Sequence, residues 1–140
     1  MSIKYRCRLY KYQLAEDYDI SLPELSGIKL INEKTEYFNL YPNGRLFIKT
    51  GYAWDGPSGP TIDSKDFMRG SLVHDVLYQA IRLGFLPVEC KDIADDILRR
   101  ICREDGMSAI RAWWVWRAVR RFGASACEPG SDQNEILEAP

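Results

Sequence analysis

The residue types with the greatest potential for chemistry surround His74, the single histidine of the chain. Asp75 follows it directly, Tyr78 lies one helical turn later, and Asp95 comes further along the sequence. A carboxylate bonded to one imidazole nitrogen fixes the tautomer and raises the basicity of the other nitrogen. His74 and Asp95 are therefore a candidate catalytic dyad in which the imidazole acts as a general base towards water.

The same residues also admit a purely structural interpretation. His74 and Asp95 would then form a buried polar bridge that fixes how two helices pack. Tyr78 would hydrogen-bond a carboxylate or pack against its neighbours. Cys7 and Cys102 are best explained as small apolar core residues, because no motif supports a cysteine nucleophile.

A loop rich in glycine and proline, residues 55–63, precedes the histidine. It can be neither a helix nor an interior strand. A hard cation such as Ca²⁺ prefers carboxylates and the backbone carbonyls of an irregular loop, so Asp75, with Asp55 and Asp63, is a candidate ligand. The alternatives are that Asp75 caps the loop by accepting backbone N–H bonds and that Asp55 forms an Asx turn.

Three helices must position these side chains. The first is predicted from Asp63 or Ser64 to about Leu83, the second from Pro87 to Asp105, and the third from its cap Ser108 to Gly123. The short connection 84–86 makes the first two helices antiparallel neighbours. His74 and Asp95 then lie at similar heights, each roughly 15 Å from the turn. Asp95 borders the apolar stripe of its helix, whereas Asp96 points further round.

The N-terminal part is predicted to be β-structure. Polar and apolar residues alternate over 3–10, which indicates a strand, and residues 37–40 and 46–49 flank a turn that contains Pro42 and Gly44, which indicates a hairpin. Residues 15–34 are predicted to be a loop followed by a shorter strand. Strands before helices indicate an α+β fold. We expect one domain over 1–123 and an acidic C-terminal tail, 124–140, whose composition predicts disorder.

The third helix combines indoles with basic residues. Its tryptophans, Trp113, Trp114 and Trp116, are expected to be core anchors, because large aromatic residues of small domains usually are. Its arginines are expected to form a solvated face that is a possible interaction surface. These are Arg111, Arg117, Arg120 and Arg121. Such a surface could bind the acidic tail of the same chain or of a neighbouring copy.

Composition excludes several classes of protein. The 140 residues carry a formal net charge of −1, which gives no general attraction to nucleic acid. One histidine cannot supply sites that need two imidazoles. The four cysteines form no C-x-x-C pair, so we expect reduced thiols. No signal peptide and no membrane-spanning apolar run is recognisable.

Several segments together resemble the phage-associated domain of unknown function 1353, over about residues 50–123. They are Gly51-Tyr-Ala-Trp-Asp-Gly-Pro-Ser-Gly-Pro60, His74-Asp-Val-Leu-Tyr78, Ala94-Asp95 and Arg117-Ala-Val-Arg-Arg-Phe-Gly123. The resemblance implies a bacteriophage or prophage origin without an established activity.

The pattern His-Asp-x-x-Tyr, with a Gly-rich loop before it and Ala-Asp on the next helix, also resembles the phospholipase A2 superfamily. That resemblance implies that His74 is the base and Asp95 orients it. It also implies that Asp75 and the loop from Gly56 to Gly59 hold Ca²⁺. The chain departs from the superfamily in its loop prolines and its N-terminal β region.

Two functions follow as expectations. The first is a non-enzymatic virion component or accessory protein that contacts other phage or host proteins, or its own copies. The second is a calcium-dependent, phospholipase A2-like ester hydrolase that acts on phospholipid. We expect no nucleic-acid partner, and we expect the protein in the host cytoplasm or in the assembled virion.

Overall fold

Two small antiparallel sheets precede three helices in the part of the chain that the structure describes. The computed structural model describes residues 3, 5–6, 12–29, 35–54, 65–123 and 127. The strands are β1 (Tyr5–Arg6), β2 (Tyr12–Leu14), β3 (Tyr18–Ser21), β4 (Phe38–Leu40), β5 (Arg45–Ile48) and β6 (Ala53–Trp54). The helices are α1 (Lys65–Arg82), α2 (Cys90–Glu104) and α3 (Ala109–Phe122), and a 3-10 turn covers Pro23–Leu25. This order confirms the predicted α+β class.

The first sheet has the order β1-β2-β6, and the second has the order β3-β5-β4. Of the strand predicted over residues 3–10, Tyr5–Arg6 is a strand, and residues 7–10 lie outside the described residues. The predicted hairpin is confirmed, since β4 and β5 pair antiparallel around a turn in which Gly44 has φ +89°. A Cβ at Gly44 would lie 2.2 Å from the carbonyl oxygen of Leu22, so the turn requires glycine.

Strand β3 lies in the segment that the sequence predicted to be a loop, and that prediction was wrong. Tyr18 and Ile20 are buried while Asp19 and Ser21 are exposed, as in a strand with one covered face. β3 exists because it pairs with β5, far away in sequence. The shorter strand predicted near Gly27 is absent over residues 27–29, and its remainder lies outside the described residues.

Helices α1 and α2 form the predicted antiparallel pair, and α1 is buried along almost its whole length. Gly70 allows their close approach, because a Cβ there would lie 2.9 Å from Cys102 Sγ and 3.0 Å from a methyl carbon of Leu98. The main core joins α1 and α2 to side chains of both sheets. The helical pair therefore rests on the β-structure along one side.

The helix boundaries differ from the predictions at one end. Helix α2 begins at Cys90, not at Pro87. The backbone N–H groups of Cys90 and Lys91 bond three residues back, to the carbonyls of Pro87 and Val88 at 3.0 Å each, so the chain enters the helix through a tighter turn. The predicted caps of α1, Asp63 and Ser64, lie outside the described residues. The cap of α3 is confirmed, since Ser108 Oγ accepts a bond from the Arg111 N–H at 3.2 Å.

Helix α3 packs on its neighbours through small residues, and the prediction that its three tryptophans anchor the core was wrong. Trp116 is half-buried and belongs to neither core cluster of the described residues. Trp113 is 37% exposed and Trp114 is 60% exposed, whereas Ala112 and Val115 are buried. The small side chains let α3 lie close to α2 and the start of α1, which turns the opposite, bulkier face outwards. Within the described residues, no helix is both long and apolar enough to cross a membrane.

Candidate functional site

His74 on α1 and Asp95 on α2 meet across the helical pair, as the sequence predicted. His74 Nε2 lies 2.8 Å from Asp95 Oδ1. Asp95 is completely buried and His74 is 6% exposed. The neighbouring Asp96 is exposed, which confirms that Asp95 is the inward carboxylate of the two. The predicted contact is therefore present, and it lies inside the protein.

Asp95 is the centre of a larger cluster to which all three helices contribute. The Tyr78 hydroxyl donates to Oδ1 at 2.5 Å, so of the two roles that the sequence left open for Tyr78 the bond to a carboxylate is present. Lys91 Nζ donates to Oδ2 at 2.7 Å and to the carbonyl of Val119 on α3 at 3.2 Å. Arg120 Nε, also on α3, lies 3.5 Å from Oδ2.

Lys91 and Arg120 were not predicted as members of this site. Lys91 precedes Asp95 by four residues, so the i, i+4 spacing of a helical ion pair was a usable signal for it. Arg120 was predicted only as part of a surface. Its approach to Asp95 depends on how α3 crosses α2, for which the local sequence carries no signal.

The charges in the cluster are set by burial and hydrogen bonding. Burial lowers the pKa of His74 below its ordinary value of 6.5, and this outweighs the opposite effect of Asp95. Burial alone would raise the pKa of Asp95, but hydrogen bonds from His74, Lys91 and Tyr78 hold it below 3.8. Burial and the Asp95 charge raise the pKa of Tyr78. The cluster therefore contains a neutral imidazole, an ionised carboxylate and a neutral phenol.

These charge states define the tautomer of His74. Because the carboxylate only accepts hydrogen bonds, the proton of the neutral imidazole is on Nε2, and Nδ1 carries the lone pair. Among the described residues, none forms a hydrogen bond with Nδ1. Such an imidazole is electronically suited to accept a proton from water, whereas its 6% exposure restricts the approach of a substrate.

Most of the residues predicted to form a calcium site lie outside the described residues. Asp55, Gly56, Gly59 and Asp63 all lie outside the described residues. Asp75 is half-buried on α1 and takes part in contacts there. Within the described ranges, no group of three or more His, Cys, Asp or Glu side chains could hold a metal ion. Ca²⁺ takes about six to eight oxygen ligands, so Asp75 alone is not a calcium site. We therefore give Ca²⁺ no role in the chemistry of His74.

The four arginines predicted as one surface are divided between two environments. Arg111 pairs with Asp66 at 3.2 Å, and Arg120 pairs with Asp96 at 3.2 Å beside the buried cluster. Arg117 and Arg121 are exposed on the outward side of α3. Arg117 also lies over the ring of Trp113, with Cζ 5.5 Å from the ring centroid.

Comparison with known proteins assigns the chain to a family. Residues 31–119, more than half of the chain, match the family model described as "Protein of unknown function (DUF1353)". No curated protein and no solved structure matches the chain. The matched range contains His74, Tyr78, Lys91 and Asp95. The chain belongs to the DUF1353 family of proteins of unknown function.

Proposed function

We propose that the protein is a non-enzymatic bacteriophage protein that acts through protein–protein contacts, as a virion component or as an accessory factor. The observation that carries this proposal is the outward face of α3, which consists of Ile110, Trp113, Trp114, Arg117 and Arg121. Ile110 is 74% exposed and Trp114 is 60% exposed. Contiguous apolar surface of this kind marks interaction sites on small proteins.

The composition of the outward face suits a protein partner. Tryptophan and arginine are the residue types most enriched among the side chains that dominate binding energy at interfaces. Ile110, Trp114, Arg117 and Arg121 recur at spacings of four, three and four, and Trp113 is three residues from Ile110 and four from Arg117, so all five share one side of the helix. Trp113 and Trp114 also pack edge to face, with ring centroids 5.0 Å apart, which limits the entropy that they lose on binding.

The buried cluster supports the same proposal as a structural brace. Lys91 bonds both to Asp95 on its own helix and to the Val119 carbonyl on α3, and Arg120 approaches the same carboxylate. A buried polar network of this kind restricts how its helices can pack. The cluster therefore fixes the direction in which α3 presents its outward face.

The test of this proposal is incorporation into particles of the phage or prophage that encodes the chain. Wild-type protein is expected at a fixed ratio to the major capsid protein, or, for an accessory factor, in a stable complex with one phage or host protein in infected cells. The variant Ile110→Ser/Trp114→Ser is expected to lower either quantity several-fold. Val88→Ser is the matched control, because Val88 is a 52% exposed apolar residue outside α3. If the double variant keeps the wild-type ratio to the capsid protein and the wild-type amount of the complex, the proposal is overturned.

A hydrolase is the second candidate function, and one observation favours it. His74 donates through Nε2 to Asp95 at 2.8 Å, Tyr78 holds the same carboxylate, and Nδ1 is left with its lone pair. This is the arrangement of an oriented general base. In a phospholipase A2-like reaction, His74 would take a proton from the water that attacks a phospholipid ester.

Release of fatty acid from phospholipid vesicles in millimolar calcium distinguishes this candidate from the first. The hydrolase interpretation expects release by the wild-type chain and loss of it in a folded His74→Gln variant. The variant should keep its circular-dichroism spectrum, so that loss of activity is not loss of fold. No release by pure, folded wild-type protein excludes this activity on phospholipid.

A further inference from the structure

We propose that the outward face of α3 binds the acidic C-terminal segment, residues 128–138, of a second copy of this chain. This inference rests on the proposed function, in which the face is a protein-contact surface. It goes further by naming the partner.

The face has two chemically different ends. Ile110 and Trp114 form an apolar end near the start of α3, and Arg117 and Arg121 form a basic end towards its C-terminus. The distance along the axis from residue 110 to residue 121 is about 16 Å. A matching ligand has acidic side chains next to a short apolar group, within a segment of that length or longer.

The C-terminal segment of the chain has this composition. Residues 128–138 contain four acidic residues and no basic ones, and their one strongly apolar group is Ile136-Leu137. Glu135 and Glu138 flank that pair directly. Eleven residues span up to about 36 Å when extended, which is more than the length of the face. The segment can therefore place its apolar pair on the indoles and its carboxylates on the arginines.

We assign the segment to a second copy because none of the described residues of the same chain covers the apolar end of the face. Ile110 and Trp114 remain 74% and 60% exposed. A lipid or nucleic-acid surface is disfavoured by Asp92 and Asp96 of the adjacent α2, whose side chains are 65% and 59% exposed and would face the phosphates. An acidic peptide can follow the arginine side of α3 and avoid them. The contact is then heterologous, with the face of one copy holding the segment of the next.

A charge-swap experiment on the full-length protein tests this contact. Sedimentation velocity of the wild-type chain is expected to show association that increases with protein concentration and weakens in high salt. Arg117→Glu/Arg121→Glu should abolish the association, and so should Glu135→Arg/Glu138→Arg in the segment. An equimolar mixture of the two variants should associate again, because the mixture restores opposite charges between copies.

The controls separate this inference from the proposed function. Lys29→Glu/Lys65→Glu changes the net charge by the same amount at exposed sites outside α3 and should leave association unchanged. A synthetic peptide of residues 128–140 should compete with the wild-type association. A wild-type chain that stays monomeric, or a mixture of variants that fails to associate, overturns this inference. If the Ile110→Ser/Trp114→Ser variant is still not incorporated into the particle, the proposed function stands although the contact between copies does not.

Discussion

One side chain, Asp95, organises the candidate site at the scale of single residues. It accepts bonds from His74, Tyr78 and Lys91 and is completely buried. Its neighbour Asp96 has the same chemistry but is exposed and bonds to the Trp116 indole at 2.8 Å. The direction in which each carboxylate points therefore decides its role.

This contrast predicts unequal effects of the same substitution at the two positions. Asp95→Asn leaves the Lys91 ammonium without its buried counter-charge, so we expect the free energy of unfolding to fall by about 3 kcal/mol or more. Asp96→Asn keeps an acceptor oxygen at an exposed site, so we expect a loss below about 1 kcal/mol. Urea unfolding of both variants beside the wild type measures the difference. Equal losses would contradict the assignment of Asp95 as the centre of the cluster.

Stability should also depend on pH through His74. Because its pKa is lowered in the folded state, the unfolded chain takes up this proton first as the pH falls below 6.5. The stabilisation is thus complete above 6.5 and is lost below it, at up to about 1.4 kcal/mol per pH unit. The groups that face the imidazole are Asp95, which titrates only below 3.8, Tyr78 and Lys91.

Urea unfolding at pH 7.5 and 5.5, on the wild type and on His74→Gln, checks this dependence. The wild type should lose more stability between the two pH values than the variant, which lacks the titrating group. A parallel loss in both proteins would place the pH dependence elsewhere in the chain.

At the scale of elements, helix α1 connects the second sheet with helix α2. Its Arg69 is almost fully buried and donates to Asp105 and Glu104 at the end of α2, at 2.8 and 3.1 Å. The same guanidinium donates to the Tyr18 hydroxyl on β3 at 3.2 Å. One side chain therefore connects the second sheet with both helices of the pair.

Because Arg69 is buried, its substitution should lower the free energy of unfolding more than substitution of an exposed arginine with a similar ion pair. Arg69→Met should lower the free energy of unfolding by about 3 kcal/mol, because it removes a buried guanidinium that donates to the buried Tyr18 hydroxyl and to the half-buried Asp105 carboxylate. Arg45→Met removes the bidentate pair with Asp19 on the exposed side of the second sheet and should cost less than about 1 kcal/mol. Thermal and urea unfolding measure both. A smaller loss for Arg69 than for Arg45 would contradict this role.

At the scale of the whole molecule, the main core extends beyond the last helix. Cys127 is 2% exposed and packs into the core that also contains Tyr78 and Cys90. The domain boundary predicted at residue 123 stays a prediction. The burial of Cys127 indicates that this residue contributes to the packing beside Tyr78.

Thiol reactivity gives a measurement of this packing. Cys90, Cys102 and Cys127 are all buried, and burial raises the pKa of Cys102 and of Cys127 to about 12, so their reactive thiolates are scarce. A Cys7→Ser chain, which removes the one cysteine outside the described residues, should show no fast reaction with a thiol reagent when folded. It should show three reactive thiols in urea. Fast labelling of Cys127 in the folded chain would contradict its place in the core.

The sequence by itself determined the α+β order, the β4–β5 hairpin, the helical pair and the meeting of His74 with Asp95. These features depend on local quantities, namely the apolar period, the turn residues and a connection too short for any but an antiparallel arrangement. The inward direction of Asp95 rather than Asp96 followed from helical geometry alone.

Only the tertiary structure decided that Arg120 joins Asp95, that Tyr18–Ser21 is a strand, and that Trp113 and Trp114 face outwards. Each of these depends on contacts between residues distant in sequence. The pairing of β3 with β5 makes a strand from four residues, and the small residues of α3 turn its indoles away from α2. A local pattern shows that a face is apolar, and the packing of the whole chain decides whether another element covers it.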